Sequence, residues 1–559
     1  MKKKAVSIIL TTALGATIFT PTTSFATPGP NIEKGLKGNA HSSPSSVHPV
    51  FSWDQPGPSS PVLHPGSIRG ASMRAEPLKK IDNLLQNAIE DKVMPGAVAY
   101  VARRGHIVKQ QAYGYALKYK DDNFTESENP IPMKEDTIFD LASISKIFTT
   151  TAAMILYEDG KFKLNDPVAK HIPEFAANGK EDVTIEQLMT HTSGFKPWIP
   201  LYTVEGDRND RLQHVFQHPL ENEPGSTYTY SDLNMITLGA LVERLSGMRL
   251  DEFVKQEITA PLHMNDTMYN PDDHLKHRIA ATEEQPWANR GLVWGEVHDE
   301  SAWSLDGVAG HAGVFSTASD LAKLAHMFLM DGEYGNKRIL KPETVQLLTE
   351  NRIPEFPGDN HGLGWELHQG WYMDALSSPG TYGHTGYTGT SIVVNPANDT
   401  IAILLTNRVH PTRETVSTSP TRREFARKVA DAIPVQMDKK AEPWHAGYGD
   451  HEEKHLIAEI EPGDASLSFN TWHEMEDSYD LGELQVSKDG ETWTTLETYT
   501  GDSNGWVSKN VPLPSDTTHI RFTYKTDGSV NSRGWYVDQL KWDGKEIEPS
   551  SDSWQKRSY

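Results

Sequence analysis

The chain has 559 residues, 37% of them hydrophobic and 23% charged, which fits globular domains rather than a disordered or fibrous chain. Its 53 basic and 76 acidic side chains give a formal net charge of -23, a field that repels phosphate backbones and argues against nucleic-acid binding. Cysteine is absent, so disulfides, zinc–thiolate sites and cysteine nucleophiles are excluded.

Residues 1–26 read as a signal peptide. Lys2, Lys3 and Lys4 precede an apolar stretch from Ala5 to Phe19, and Ser24-Phe25-Ala26 offers small residues before a cut at Thr27. The apolar run is too short for a hydrocarbon core of ~30 Å, so cleavage is expected, leaving no membrane span. The mature protein is then secreted, extracellular or cell-wall associated. Residues 27–74 read as a linker, because half of the positions from Thr27 to Gly70 are Pro, Ser or Gly.

A first folded domain is expected over 75–435. Leu78 to Ile89 repeats apolar residues at helical spacing, and Ala97 to Val101 with His106 to Val108 reads as a hairpin around Arg103-Arg104-Gly105. Helical segments follow. Thr390 to Val394 and Thr400 to Thr406 read as strands joined by a turn at Pro396 to Asp399, and a helix from Arg422 to Ala432 closes the region. Strands, then helices, then strands predict an α+β fold, an antiparallel sheet flanked by helices. Residues 436–450 are taken as a second linker. Over 451–559 short strands alternate with turns such as Asp489-Gly490 and Asp543-Gly544, which predicts an all-β sandwich. Its tryptophans (Trp472, Trp493, Trp506, Trp535, Trp542) offer contact with sugar rings where exposed, and core packing where not.

Three segments carry chemistry. In Leu141-Ala142-Ser143-Ile144-Ser145-Lys146, Ser143 and Lys146 lie a turn apart at the start of an apolar helix. A serine hydroxyl needs a nearby base to become a nucleophile, and a desolvated lysine can be that base. The helix N-terminus adds N–H groups for an oxyanion. The spacing alone is common, recurring at Ser193–Lys196 and Ser553–Lys556. The second segment, Tyr230-Ser231-Asp232-Leu233-Asn234, places a phenol ahead of a helix from Met235 to Leu245, where it can relay a proton to a leaving group. The third, Gly383-His384-Thr385-Gly386-Tyr387, opens the late hairpin with glycines that let a substrate approach a strand edge.

In this order the three segments resemble the serine β-lactamase and penicillin-binding-protein-like hydrolases, specifically the class C-like branch, which carries Ser-x-x-Lys, Tyr-x-Asn and Lys- or His-Thr-Gly. Leu188 to Gly194 and Asn395-Pro396 match as well. The resemblance implies the β-lactamase-like fold with an all-helical subdomain. It also implies Ser143 as the acylated nucleophile, Lys146 as proton acceptor and Tyr230 as general base or acid. Backbone N–H groups of Ser143 and Tyr387 would form the oxyanion hole, with Asp232, His384, Thr385 and Gly386 toward the substrate. Asp232 replaces the usual asparagine and would keep Lys146 charged while opposing a phenolate at Tyr230. His384 replaces lysine and is mostly neutral near pH 7, which weakens the case for efficient β-lactam hydrolysis.

Gly295 to Asp299 and Gly307 to Ser316 look like the branch containing secreted N-acetylmuramoyl-L-alanine amidases and periplasmic esterase-like penicillin-binding proteins. There the histidines either shape a glycine-rich loop or, as with His311, touch substrate; His298, Asp299 and His311 could also form a metal site, although serine chemistry needs none. No cofactor or metal is expected. His451-Glu452-Glu453-Lys454-His455 matches the zinc-protease His-Glu-x-x-His pattern, but it is wholly charged and runs into a strand, so it reads as a chance match. The C-terminal region is similar to jelly-roll modules appended to secreted bacterial hydrolases. The expected function is therefore a secreted serine hydrolase acting on peptidoglycan fragments or a small peptide or ester. The lactyl–L-Ala amide comes first and a D-Ala-terminal peptide second, with an esterase or weak β-lactamase as alternatives. From another class, the alternative is a non-catalytic cell-wall binding or penicillin-sensing protein.

Overall fold

The strand Gly96–Arg103 is buried along its whole length, which a strand can tolerate only with cover on both faces. Its alternate side chains feed two separate cores: Val98, Tyr100 and Ala102 point into one, Ala97, Ala99 and Val101 into the other. The strand Thr400–Thr406 does the same, pairing antiparallel with Gly96–Arg103 from Thr400 opposite Arg103 to Thr406 opposite Ala97. On the first face pack the helices Ser145–Glu158, Asp232–Ser246 and Ala318–Leu329; on the second, Ala75–Glu90 and Ser419–Asp431.

This computed structural model describes residues 59–435, 442–528 and 530–557; the signal peptide and most of the first linker lie outside them. The main sheet runs in the order His64–Pro65, His106–Tyr119, Gly96–Arg103, Thr400–Thr406, Ser391–Asn395, Tyr382–Thr385, Glu366–Leu367. Every pair is antiparallel except the first, where His64–Pro65 runs parallel to His106–Ile107. Residues 59–74 therefore depart from the linker expected of them. Ala71 and Met73 are buried in the second core, and a proline-rich composition had masked these few apolar anchors.

Two further sheets follow residue 442. One orders Val507–Pro512, Ser466–Glu474, Gly534–Trp542, Trp444–His445 and Gln555–Lys556; the other orders Glu453–Glu459, His519–Lys525, Leu481–Ser487 and Thr494–Tyr499. In Ser466–Glu474 every second residue is buried, the signature of a strand with one face on a core. The shared core holds Trp535, Trp542 and Trp554, whereas Trp472, Trp493 and Trp506 are half-buried and Tyr479 is exposed. Trp444 and His445 already belong to this sheet, so the second linker ends earlier than the expected 450. His451 occupies a left-handed turn and Glu453 starts a strand, so the His-Glu-x-x-His residues share no helix. Among the described residues no helix is long and apolar enough to cross a membrane.

Candidate active site

A short strand, Phe139–Asp140, pairs with Val314–Ser316 and delivers the chain into a 3-10 turn, Ala142–Ile144, followed directly by the helix Ser145–Glu158. Ala142 sits at φ 48°, a left-handed conformation that a non-glycine residue adopts at a cost. Asp140 braces the turn by accepting from the Ala142 N–H at 2.8 Å. The turn lifts Ser143 to the mouth of two cavities while Lys146 is fully buried beneath it.

The Lys146 ammonium, with three N–H donors, meets Ser143, His311, Asp232 and the Tyr230 phenol. Nζ donates to Ser143 Oγ at 2.9 Å and to His311 O at 3.1 Å, and it pairs with Asp232 Oδ1 at 2.8 Å. Its charge also lies 4.8 Å from the centre of the Tyr230 ring. Burial works against that charge, but Asp232 and Tyr230 outweigh it and hold the amine above its usual range. Burial pushes the Tyr230 phenol up to about 12; Lys146 pulls it down and Asp232 adds to the rise.

Asp232 and Tyr230 come from the start of the helix Asp232–Ser246, whose entry is fixed by His191. The His191 ring lies against Tyr230 with centroids 4.6 Å apart and planes tilted by 35°, and its Nδ1 accepts from the Ser231 N–H at 3.1 Å. Nothing in the sequence reading assigned His191 this task, although it lies in the matched Leu188 to Gly194 phrase. The other Ser-x-x-Lys pairs are elsewhere: Ser193 Oγ is buried against Asn234 Oδ1 at 2.5 Å, and Lys196 pairs with Glu221 on the surface.

Gly386 follows the strand Tyr382–Thr385 and packs so closely that an added Cβ would lie 2.3 Å from Leu141 O. Tyr387 thereby comes level with Ser143. Among the described residues neither the Ser143 nor the Tyr387 N–H has a backbone acceptor, so both are free to receive an oxyanion. Two residues expected toward the substrate line neither cavity. His384 Nδ1 donates to Thr385 O at 2.7 Å and burial lowers its pKa to about 3; the neutral ring lies 6.1 Å from that of Tyr230, and its Nε2 has no hydrogen-bond partner among the described residues. His311 also lines neither cavity. It contributes its carbonyl to Lys146, and its Nε2 donates to Asp299 Oδ1 at 2.8 Å.

The glycine-rich loop exists for close approach: a Cβ on Gly310 would lie 1.9 Å from Met235 O, and Gly310 O accepts from Thr149 Oγ1 at 2.8 Å. Asp232, Asp299 and His311 do gather, with one ligand atom from each within 4.8 Å. The Lys146 ammonium already occupies the Asp232 end and the His311 N–H the Asp299 end. Burial opposes the Asp299 charge, but His311 holds its carboxyl well below the usual range.

The two cavities differ in character. One, of about 390 Å³, is walled by Pro197, Trp198, His298, Tyr387 and Arg413 as well as Ser143 and Asp232. Trp198 is 44% exposed and Tyr387 54%; the Tyr387 ring stacks on His298 at 5.8 Å and carries the Arg413 guanidinium at 5.5 Å, and His298 Nε2 donates to Glu283 at 2.8 Å. The other, of about 300 Å³, is polar, bounded by Thr385, Glu366, Arg408, Ser417 and Arg422.

Residues 81–427 match the family model described as Beta-lactamase. A protein of Salmonella agona (strain SL483) that bears the name of a D-alanyl-D-alanine carboxypeptidase is 36% identical over 382 residues, covering 63% of this chain and 87% of that protein. Among solved structures, EstCE1, titled a hydrolase with promiscuous acyltransferase activity, aligns with a TM-score of 0.50 at 24% identity over 63% of this chain and 98% of its own. A penicillin-binding protein homolog from Caulobacter crescentus aligns with a TM-score of 0.50 at 18% identity, over 64% and 98%. The two structural likenesses speak for the fold.

Proposed function

The chain belongs to the β-lactamase family of serine hydrolases, and from that premise we propose that it cleaves the lactyl–L-alanine amide of N-acetylmuramoyl peptides through a Ser143 acyl-enzyme. The observation that carries this reading is the pairing of two unlike cavities across Ser143. The exposed Trp198 ring suits a pyranose ring, and the polar cavity with its guanidinium groups suits an acidic stem peptide.

In acylation Ser143 Oγ attacks the lactyl carbonyl while its proton passes to Lys146. Lys146 must first lose a proton to solvent, since all three of its N–H bonds are committed at rest. The Ser143 and Tyr387 N–H groups take the oxyanion. Tyr230, protonated at neutral pH, donates to the departing nitrogen, and water then hydrolyses the ester by the reverse relay.

A second reading, removal of a terminal D-alanine, is favoured by the name of the Salmonella agona relative and by Arg408 in the polar cavity, which suits a terminal carboxylate. Incubation with N-acetylmuramoyl peptides, with and without the terminal D-Ala, separates the two by mass spectrometry. Free N-acetylmuramic acid with intact peptide, lost in Ser143→Ala, is the expected result. Loss of D-Ala alone would transfer the assignment to the carboxypeptidase, and no product at all would remove both.

A further inference from the structure

We propose that His298 and Arg413 form a subsite for a secondary amide on the acyl half of the substrate, the 2-acetamido group of an amino sugar, with His298 Nδ1 accepting its N–H and Arg413 Nη1 donating to its carbonyl. The inference rests on the reading above, in which that half is N-acetylmuramoyl, and names the group by which the site recognises it.

Both side chains wall the cavity of about 390 Å³ that opens at Ser143, and neither belongs to the relay of Lys146, Asp232 and Tyr230. Their common holder is Glu283, whose side chain is fully buried. Its Oε2 accepts from His298 Nε2 at 2.8 Å, while Arg413 Nε donates to Oε1 at 2.9 Å and to Oε2 at 2.8 Å. Burial opposes the charge on this carboxyl, but those hydrogen bonds outweigh it and hold it down to about 2. An ionised Glu283 only accepts, so it takes the Nε2 proton of the imidazole and fixes the tautomer. The neutral ring then presents a lone pair at Nδ1, which makes no hydrogen bond among the described residues.

Arg413 is the complementary half. Its Nε is committed to Glu283 and its Nη2 to Glu300 Oε1 at 2.6 Å, which leaves Nη1 without a hydrogen bond among the described residues. The guanidinium is held against two rings, Trp287 at 4.7 Å and Tyr387 at 5.5 Å. One buried carboxylate thus fixes an acceptor and a donor on the same cavity wall. A hydroxyl would satisfy both, but it brings no apolar group to Ala142, Pro197 and Ala312, which line the same cavity. An acetamido group satisfies both and adds a methyl group for that apolar part.

The subsite is registered to the nucleophile through Asp140. Its Oδ1 accepts from the Ala142 N–H at 2.8 Å, next to Ser143, and its Oδ2 from the His298 N–H at 2.6 Å. The His298 carbonyl is held in turn by Gln285 Nε2 at 2.9 Å. A ligand bound to His298 is therefore placed relative to Ser143 through a single carboxylate.

The test is calorimetric titration of the full-length Ser143→Ala protein with N-acetylmuramic acid and with its 2-O-acetyl analogue, which keeps the carbonyl and methyl but has oxygen in place of N–H. The amide should bind, and the ester should bind about tenfold more weakly, because its oxygen would face the Nδ1 lone pair. Adding His298→Gln, whose side-chain amide can still donate to Glu283 but carries no Nδ1, should make the two ligands bind equally. Adding Arg413→Lys instead should weaken both ligands alike and leave the tenfold ratio standing. Equal affinities in Ser143→Ala, an amide that does not bind, or a ratio that survives His298→Gln would overturn the proposal. The ligand comparison in Ser143→Ala needs neither cavity variant to fold. Because binding is read without turnover, it can fail while mass spectrometry finds free N-acetylmuramic acid released, or hold while the bond cleaved proves to be that of a terminal D-alanine.

Discussion

Lys146 is buried, fully hydrogen-bonded and held in its charged form by Asp232, yet the family chemistry asks it to accept a proton. Those facts fix a sign. A carboxylate 2.8 Å away raises the pH at which the amine is free, so the acid limb of kcat/KM should lie high. Asp232→Asn removes the counter-charge, and the limb should move to lower pH by about 1–3 units, the usual reach of one close charge. A pH–rate profile of both proteins on one amide substrate decides it; an unmoved limb would mean that Lys146 is not the titrating base. His384 gives a second prediction at this scale. Since burial keeps its ring neutral, His384→Gln should leave the pH profile between 5 and 8 unchanged in shape. A lost or shifted limb would show that the imidazole titrates during turnover.

At the scale of elements, the decisive contact is the glycine-rich loop lying on the helix Asp232–Ser246. The loop delivers two carbonyls to the catalytic helix, Gly310 O to Thr149 and His311 O to Lys146. A methyl group at Gly310 would overlap the Met235 carbonyl, and neither backbone can yield without moving the other. Gly310→Ala should therefore cost about 1–3 kcal/mol in denaturant unfolding and lower kcat by displacing the His311 carbonyl. Gly291, whose added Cβ would meet nothing nearer than Glu284 Oε1 at 3.7 Å, is the control, expected within about 0.5 kcal/mol. Equal effects at the two glycines would show that loop packing does not set the site. These elements were unequally legible. The hairpin at Gly96–Arg103 and the helix at Ser145–Glu158 announce themselves by local period, and the Ser143, Tyr230 and Thr385 segments by motif. His191, Glu366, Arg408 and Arg422 belong to the same centre without a local signal. Their roles arise from pairings across tens to hundreds of residues, which no window of sequence contains. The strand Glu126–Pro132 was missed for the opposite reason, since its charged, proline-bearing text suits only a sheet edge.

At the scale of the whole molecule, the helix Ser419–Asp431 joins the active centre to the C-terminal sandwich. From one face Arg422 holds the Gly386 and Thr390 carbonyls; from the other, Arg423 forms a two-pronged pair with Asp450, both N···O distances 3.0 Å. Arg427 stands 4.8 Å over the Tyr448 ring, Arg557 Nη1 reaches Asp431 at 3.0 Å, and Arg533 Nη2 donates to Ile433 O at 2.7 Å. The sandwich thus grips the element whose inner face fixes the turn beside Tyr387. Arg423 and Asp450 are both partly exposed, at 22% and 33%, so their coupling should be modest, about 0.2–1 kcal/mol. A double-mutant cycle with Arg423→Ala and Asp450→Ala isolates it, because the separate Arg423 contact with Asp374 cancels between the two arms. Measured by denaturant unfolding, a favourable coupling would make the sandwich a brace for the catalytic helix. A coupling of zero would mean that this ion pair adds no stability and that any bracing resides in the buried Arg533–Ile433 bond.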